Sequence, residues 1–348
     1  MRTIDWVDGA IELIDQTLLP QRVEVRRITE LSDLIADIQR LAVRGAPALG
    51  VAGALGVALI AANVQAQNES GTDLDREEVR RQAATLREAR PTAVNLSWGV
   101  DRALTKLEEG ADAVLAEAIR IRDEDIAACI SMGLRGADLT RELASKDRVR
   151  VMTICNTGSL ATVERGTALG VIQTLLEQDS LEEAFPLETR PLFQGARLTA
   201  WELQRMGAPF RLLIDSAGPF LLSRGIADAV FIGADRIAAN GDSANKIGSF
   251  SLALAAKHAG VPFIVVAPES TIDMRTASGA DIEIEDRGVD EVAGFGGVRT
   301  APDGIGAVNP AFDVTPHDLI TAIVTERRVI LPGRGESPEN VSLEPLRS

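Results

Sequence analysis

The stretch V-M-T-I-C-N-T-G-S-L-A-T-V-E-R-G-T over residues 151–167 puts a thiol where chemistry could be done. Its apolar start predicts a strand that delivers Cys155 to a glycine-containing turn opening a helix. Unpaired backbone N–H groups at such a helix start would seat an anion on residues 156–159 and ease loss of the thiol proton. The residue type alone is equally compatible with a small buried hydrophobe.

Two further constellations follow apolar runs. F-I-G-A-D-R-I-A-A-N-G-D-S-A-N-K over 231–246 carries Asp235, Asn245 and Lys246 in a stretch rich in small residues, read as a loop before a helix. Asp235, just past apolar neighbours, would be partly desolvated, which raises a carboxyl pKa toward general-acid use; capping a helix or pairing with Arg236 is the plainer role. Lys246 could hold a phosphate as a compact point charge or pair with an acidic neighbour. E-T-R-P-L-F-Q-G-A-R-L-T-A-W over 188–201 brings Arg190, Gln194 and Arg197 into one turn and a helix start. A side-chain amide such as Gln194 both donates to and accepts from sugar hydroxyls. In V-R-G-A-P-A-L-G over 43–50, Arg44 and the amides of Gly45 and Ala46 could cradle an anion, although a turn between two helices explains the glycine as well.

Composition removes several classes of function. The net charge is −15, and the four lysines stand at 106, 146, 246 and 257 among many arginines, which argues against nucleic acid as a partner and fits a high-salt cytoplasm. No run of eighteen residues lacks polar groups and the N-terminus has no basic-then-apolar pattern, so neither secretion nor a membrane partner is expected. The two cysteines are far apart, with Cys129 in a helical pattern, and neither histidine has metal-ligand spacing. G-x-G-x-x-G after a strand and G-x-x-x-x-G-K-[ST] are both absent, so no nucleotide cofactor and no metal are expected.

The elements that must position these residues fall into two halves. Residues 10–28 alternate apolar and polar positions across Leu-Leu-Pro-Gln, which predicts a β-hairpin. Leu31, Leu34, Ile35, Ile38 and Leu41 mark one helix face, and similar stripes recur at 76–88, 94–108 and 112–143. Residues 48–64, rich in Ala and Gly, read as a tightly packed buried helix, and 65–75 as a surface loop. Near 145–150 the pattern changes: apolar runs at about 149–154, 184–188, 210–214, 229–233 and 262–267 alternate with helical segments, the βαβ rhythm of a parallel sheet covered on both faces. Ligands bind beyond the carboxyl ends of such strands, where Cys155, Asp215 and Asp235 fall. The expectation is an α/β chain with a mostly helical domain over 1–145, a sheet domain over 146–348, and a loose tail in the last dozen residues.

Six blocks in order, R-G-A-P-A-L-G, R-P-T-A-V-N-L, C-N-T-G-S-L-A-T, E-T-R-P-L-F-Q-G-A-R-L-T-A-W-E-L, G-A-D-R-I-A-A-N-G-D-S-A-N-K-I-G and N-P-A-F-D-V-T-P-H-D-L-I-T-A-I, resemble the methylthioribose-1-phosphate isomerase family over about 8–332. That family sits in a larger group with regulatory subunits of the initiation-factor 2B exchange factor and archaeal ribose-1,5-bisphosphate isomerase. The resemblance implies a helical N-terminal domain, a Rossmann-like C-terminal domain with a mainly parallel sheet, a cytoplasmic homodimer, and conversion of 5-methylthioribose 1-phosphate to 5-methylthioribulose 1-phosphate in methionine salvage. It assigns catalysis to Cys155 and Asp235, and substrate contacts to Arg44, Gly45, Ala46, Arg90, Gln194, Asn245 and Lys246. Asp235 would act as acid, and Cys155 as base or as stabiliser of the transition state. Ribose 1,5-bisphosphate or 5-deoxyribose 1-phosphate as substrate, or a non-catalytic translation-factor-like subunit, are the alternatives. Two positions depart from the family pattern: Ile154 precedes the cysteine where many members carry His, and 214–219 reads I-D-S-A-G-P.

Overall fold

The structure is a computed structural model describing residues 2–67, 74–91 and 93–347. Its contacts divide the chain into two compact units, Met1–Ile130 with Gly158–Gly166, and Ser131–Thr157 with Thr167–Arg347. The sequence pattern changes at 145–150 because strands begin there. The division between units falls earlier, inside a long helix, and returns nine residues beyond Cys155 to the first unit.

In the first unit β1 (Ile4–Val7), β2 (Ala10–Ile14) and β3 (Val25–Ile28) form an antiparallel sheet in that order. β2 and β3 are the expected hairpin, with Ile11 opposite Ile28, but a longer connection holding a 3-10 turn at Gln16–Leu18 replaces a tight turn. β1 was not foreseen; it joins β2 through Asp8 and Gly9, both at positive φ, as two-residue hairpin turns require. Helices α1 (Leu31–Gln39), α2 (Ala46–Gln67), α3 (Arg76–Arg87), α4 (Val94–Leu104) and the start of α5 (Ala111–Ala144) follow the predicted stripes. Asp75 ends the approach to α3 and accepts the Glu78 N–H at 3.1 Å, a side-chain N-cap. Residues 65–67 of the expected loop continue α2, and 68–73 lie outside the described residues.

α2 is apolar on all sides, and every residue from 48 to 61 is buried, so a helix long and apolar enough to span a bilayer spends its surface on the core instead. Small residues let α4 cross it closely: a Cβ at Gly99 would stand 1.9 Å from the Gly50 carbonyl oxygen. Segment 158–166 is tied down in the same unit. Thr3 N–H donates to the Val163 carbonyl at 2.8 Å, Gln16 Nε2 to the Leu160 carbonyl at 2.7 Å, and Val163 N–H to Asp125 Oδ2 at 3.0 Å.

The second unit is built on a six-stranded sheet. β4 (Val149–Thr153), β5 (Leu181–Pro186), β6 (Ala229–Ile232), β9 (Phe263–Val266) and β14 (Ala322–Val324) run parallel, and β15 (Val329–Ile330) closes the edge antiparallel, in the order β15-β14-β9-β6-β4-β5. β6, β9 and β14 are buried at every position, which is why β6 and β9 read as unbroken apolar runs; β14 has only three residues. The chain goes outward from β4 to β5 through α6 (Ala168–Glu177), then crosses back to β6 by way of α7 (Ala200–Met206) and α8 (Ala217–Ser223). From β6 it continues the other way to β9 through α9 (Ser249–Ala259). Because crossovers between parallel strands are right-handed as a rule, winding in opposite directions puts helices on both faces, and the strand order leaves a switch point between β4 and β6.

Run 210–214 is not a full strand: it meets β5 only through isolated bridges, Ala184 with Phe210 and Leu187 with Leu213. β14 and β15 were missed. A second sheet, in the order β10-β7-β8-β13, comprises β7 (Arg236–Ala238), β8 (Ser243–Lys246), β10 (Ile272–Asp273) and β13 (Phe312–Thr315). A ribbon of β11 (Gly294–Phe295) and β12 (Val298–Arg299) follows the single turn of helix α10 (Asp290–Ala293). The C-terminal tail is not loose. Buried Arg135 of α5 donates to Glu344 Oε2 at 2.6 Å and to the Pro345 carbonyl at 2.8 Å, because a buried guanidinium must find acceptors.

Candidate functional site

Cys155 and Asp235 leave the carboxyl ends of the two strands that flank the switch point, β4 and β6. In-register pairing of Thr153 with Phe231 starts both segments from the same level of the sheet.

Cys155 does not open a helix. Gly158 is extended, a 3-10 turn occupies Ser159–Ala161, and α6 begins only at Ala168. Thr167 N–H donates to the Thr157 carbonyl at 2.8 Å and pinches off the segment between them, while Thr157 Oγ1 accepts the Leu169 N–H at 3.0 Å in the first turn of α6. The dipole argument for residues 156–159 therefore does not apply. Cys155 instead sits at φ +66°, a left-handed conformation uncommon for a side-chain-bearing residue. Its N–H donates to Thr189 Oγ1 at 2.8 Å and its carbonyl accepts from Thr199 Oγ1 at 2.6 Å. Next to it, Asn156 Nδ2 donates to Glu202 Oε1 at 2.7 Å, and both residues are buried.

The stretch read as a loop over 231–246 is a hairpin. β7 and β8 pair antiparallel around Asn240 and Gly241, and Asp235 enters that ladder with its N–H on the Ala244 carbonyl at 2.9 Å. Asn245 and Lys246 are the last residues of β8. Arg236, the expected partner of Asp235, lies 3.9 Å from Asp273. Lys246 is 4% exposed. Burial pushes its ammonium pKa down with help from Arg287, against the electrostatic pull of the Cys155, Asp235 and Glu291 side chains. Its Nζ also stands 5.4 Å from the centre of the Phe312 ring. Asn245 Nδ2 donates to Ser249 Oγ at 2.8 Å, so β8 is fastened to the start of α9.

Asp313 completes this corner. Its carboxylate accepts the Gly248 N–H at 2.7 Å and the Phe250 N–H at 3.1 Å at the start of α9. Burial nevertheless raises its pKa to about 6 against those bonds and the pull of Lys246. Ile154 is buried, and a Cβ at Gly248 would stand 2.9 Å from its Cδ1, so the position that departs from the family pattern is packed dry against the loop after Lys246.

Gln194 is buried just ahead of a π-turn at Gly195–Thr199, and among the described residues its Oε1 has no hydrogen-bond partner. Arg190 and Arg197 are not solvated arms. Their guanidinium groups lie 4.9 Å from the Phe193 ring and 5.7 Å from the Phe295 ring, and the two rings meet edge to face at 4.8 Å. Asp215 accepts the Thr189 and Arg190 N–H groups at 2.8 and 2.7 Å. Sequence reasoning missed Thr189, Thr199 and Asp313, although the first two stand in the stretch 188–201 and the third in the block 309–323 already singled out.

Arg44, Gly45, Ala46 and Arg90 belong to the first unit. Arg44 is buried, Ala46 is the first residue of α2, and Arg90 lies between α3 and α4 beside Thr92, which is outside the described residues. Gly45 has φ +95°, and a Cβ there would stand 2.5 Å from the Ala161 backbone, so close packing accounts for the glycine.

A doubly wound α/β unit with a thiol, a carboxyl group and a buried amine at its switch point is the class that fold and site define. Residues 42–332 match the initiation factor 2 subunit family, and the chain belongs to it. It is 51% identical over 335 residues to a methylthioribose-1-phosphate isomerase of Xanthomonas oryzae pv. oryzae, covering 95% of this chain and 92% of that protein. It is 45% identical to a 5-deoxyribose 1-phosphate isomerase of Moorella thermoacetica, covering 94% of each. A probable bifunctional methylthioribose-1-phosphate isomerase/methylthioribulose-1-phosphate dehydratase of Nocardia farcinica is 49% identical, and the chain spans 60% of that longer protein. Among solved structures, 5-methylthioribose 1-phosphate isomerase from Pyrococcus horikoshii superposes with a TM-score of 0.83 at 40% identity, covering 95% of this chain and 92% of that one. Translation initiation factor eIF-2B subunit delta from A. fulgidus gives the same TM-score at 39% identity, covering 96% and 97%.

Proposed function

We propose that this chain isomerises 5-methylthioribose 1-phosphate to 5-methylthioribulose 1-phosphate, with Asp235 and Cys155 acting on the sugar. The observation that carries the reading is that Cys155 and Asp235 leave the ends of the adjacent strands β4 and β6 at the switch point of the sheet, and that the hairpin Asp235 opens ends on buried Lys246.

The chemistry explains why both groups are needed. The anomeric oxygen is held as a phosphate ester, so the ring cannot open to a free aldehyde. Asp235 protonates the ring oxygen as the C1–O bond breaks, and it recovers a proton from the C2 hydroxyl as the ketone forms. Meanwhile the hydrogen on C2 moves to C1. Either Cys155 thiolate takes it as a proton and returns it to C1, or it passes directly as hydride while Cys155 steadies the developing positive charge. Lys246, Asn245 and Gln194 hold the phosphate and hydroxyls. The unpartnered Gln194 Oε1 supports a hydroxyl contact, because a buried amide oxygen gains most from a donor.

The 45% identity to a 5-deoxyribose 1-phosphate isomerase favours that sugar as a second substrate, since both sugars present an apolar C5 end. A homodimer is proposed as well: Phe220, Phe250 and Leu254 are exposed on α8 and α9, two helices that pack together. A cytoplasmic location is proposed with it, since a sugar phosphate dianion does not cross a bilayer unaided. NMR of purified protein with 5-methylthioribose 1-phosphate, 5-deoxyribose 1-phosphate and ribose 1,5-bisphosphate tests the assignment. Ketose from the first is expected; turnover of the bisphosphate alone would refute it. Run in heavy water, the same assay separates the routes, since only proton transfer lets deuterium enter at C1.

A further inference from the structure

Among the described residues seven non-glycine residues have positive φ, and three of them follow the neighbouring strands β4 and β5: Cys155 at +66°, Thr189 at +66° and Phe193 at +55°. A β-branched residue there is a genuine outlier, held only when its surroundings over-determine it. The surroundings of Thr189 do so. It is fully buried, and Asp215 Oδ1 accepts its N–H at 2.8 Å. Its hydroxyl donates to the Leu187 carbonyl at 2.9 Å and accepts the Cys155 N–H at 2.8 Å.

We infer that Thr189 is a positioning residue for Cys155: its hydroxyl, anchored through the Thr189 backbone to Asp215, holds the thiol-bearing residue in its left-handed conformation and so fixes where the sulfur points. The inference rests on the proposed role of Cys155 in isomerisation, and it adds a residue that touches no substrate. One strand end, β5, thereby sets the geometry of the residue at the end of its neighbour β4. Rotating Cys155 back to negative φ would swing its Cβ, and a displacement of about 1 Å can cost about a hundredfold in rate. Thr199 grips the other side of Cys155, but it also meets Asn156, so its removal would disturb two contacts at once.

The test compares Thr189→Val with Thr189→Ser. Valine keeps the shape and β-branching and deletes only the hydroxyl, so the Cys155 N–H loses its acceptor; serine keeps the hydroxyl. Two readouts are taken: the rate at which iodoacetamide alkylates Cys155, followed by peptide mass spectrometry with buried Cys129 as internal reference, and kcat and KM for the isomerisation. Thr189→Val is expected to change the alkylation rate about fivefold or more and to lower kcat about tenfold or more with KM nearly unchanged, the signature of lost positioning. Thr189→Ser should stay close to the parent in both. Should the valine protein fail to fold, Asp215→Asn, which sets an NH2 against one of two backbone donors, is expected to shift both readouts in the same way. Alkylation at the parental rate in folded Thr189→Val overturns the inference. Altered alkylation with unchanged kcat leaves the positioning standing and removes Cys155 from the mechanism.

Discussion

Replacing Asp313 by Asn gives the sharpest energetic test of the site's electrostatics. Its carboxylate accepts two N–H groups at the start of α9, which favours charge, yet burial wins and lifts its pKa from the ordinary 3.8 to about 6. At about 1.36 kcal/mol per pH unit, that rise means ionised Asp313 costs the folded state about 3 kcal/mol. The sign follows from proton uptake. Below 3.8 the group is protonated in both folded and unfolded chains and contributes no slope. Between 3.8 and about 6 the folded chain holds the extra proton, so stability falls as pH rises, and above about 6 the whole cost is present. Asparagine cannot titrate; losing one of the two acceptor oxygens gives it a penalty that does not vary with pH. Urea denaturation of both proteins across this range, with the difference taken at each pH, cancels every other titration. The stability of Asp313→Asn relative to the parent should rise by about 3 kcal/mol from acid to neutral pH. A difference that stays flat, or falls with rising pH, would mean that the α9 amides and Lys246 outweigh burial, and the reasoning would fail.

The other predictions concern catalysis, substrate grip and packing. Cys155→Ser and Asp235→Asn should each lower kcat by about a hundredfold or more, the scale of a lost acid–base group, and near-normal turnover in either would remove that residue from the mechanism. Lys246→Ala should weaken substrate binding by about ten- to a hundredfold, as loss of a charged hydrogen bond to phosphate does, seen as raised KM with kcat less affected. Gly99→Ala gains about 1 kcal/mol of helix propensity but drives a methyl to 1.9 Å from the Gly50 carbonyl, so a net loss of about 2 kcal/mol is expected in thermal denaturation. An unchanged melting temperature would show that α2 and α4 are not in close contact there.

What the sequence made legible follows its physics. β4, β6 and β9 are buried strands of a parallel sheet and read as plain apolar runs; the stripes of α1, α3 and α5 survive because each helix has one core face. The hairpin of β7 and β8 was taken for a loop, although Asn240 and Gly241 carry the strongest short-range turn signal a chain offers. Asp8 and Gly9 before β2 carry a similar signal and were passed over for the same reason: strands of three to five residues leave little room for alternation to register. The helix expected after Cys155 begins later because 158–166 is drawn into the first unit by Thr3, Gln16 and Asp125, partners more than thirty positions away that no local pattern announces. The candidate residues Cys155, Asp235 and Lys246 were visible as types in suggestive stretches. Thr189 and Asp313 stand in quoted stretches too but give no sign of their roles, because those rest on hydrogen bonds to backbone N–H groups of other segments.

The central claim is that Cys155 and Asp235 address one bound sugar, and protection of the thiol tests it most directly. In Asp235→Asn protein, which should bind 5-methylthioribose 1-phosphate without converting it, saturating sugar is expected to slow iodoacetamide alkylation of Cys155 by about tenfold or more, as a group shielded by ligand requires. Alkylation at the same rate with and without bound sugar would contradict the account.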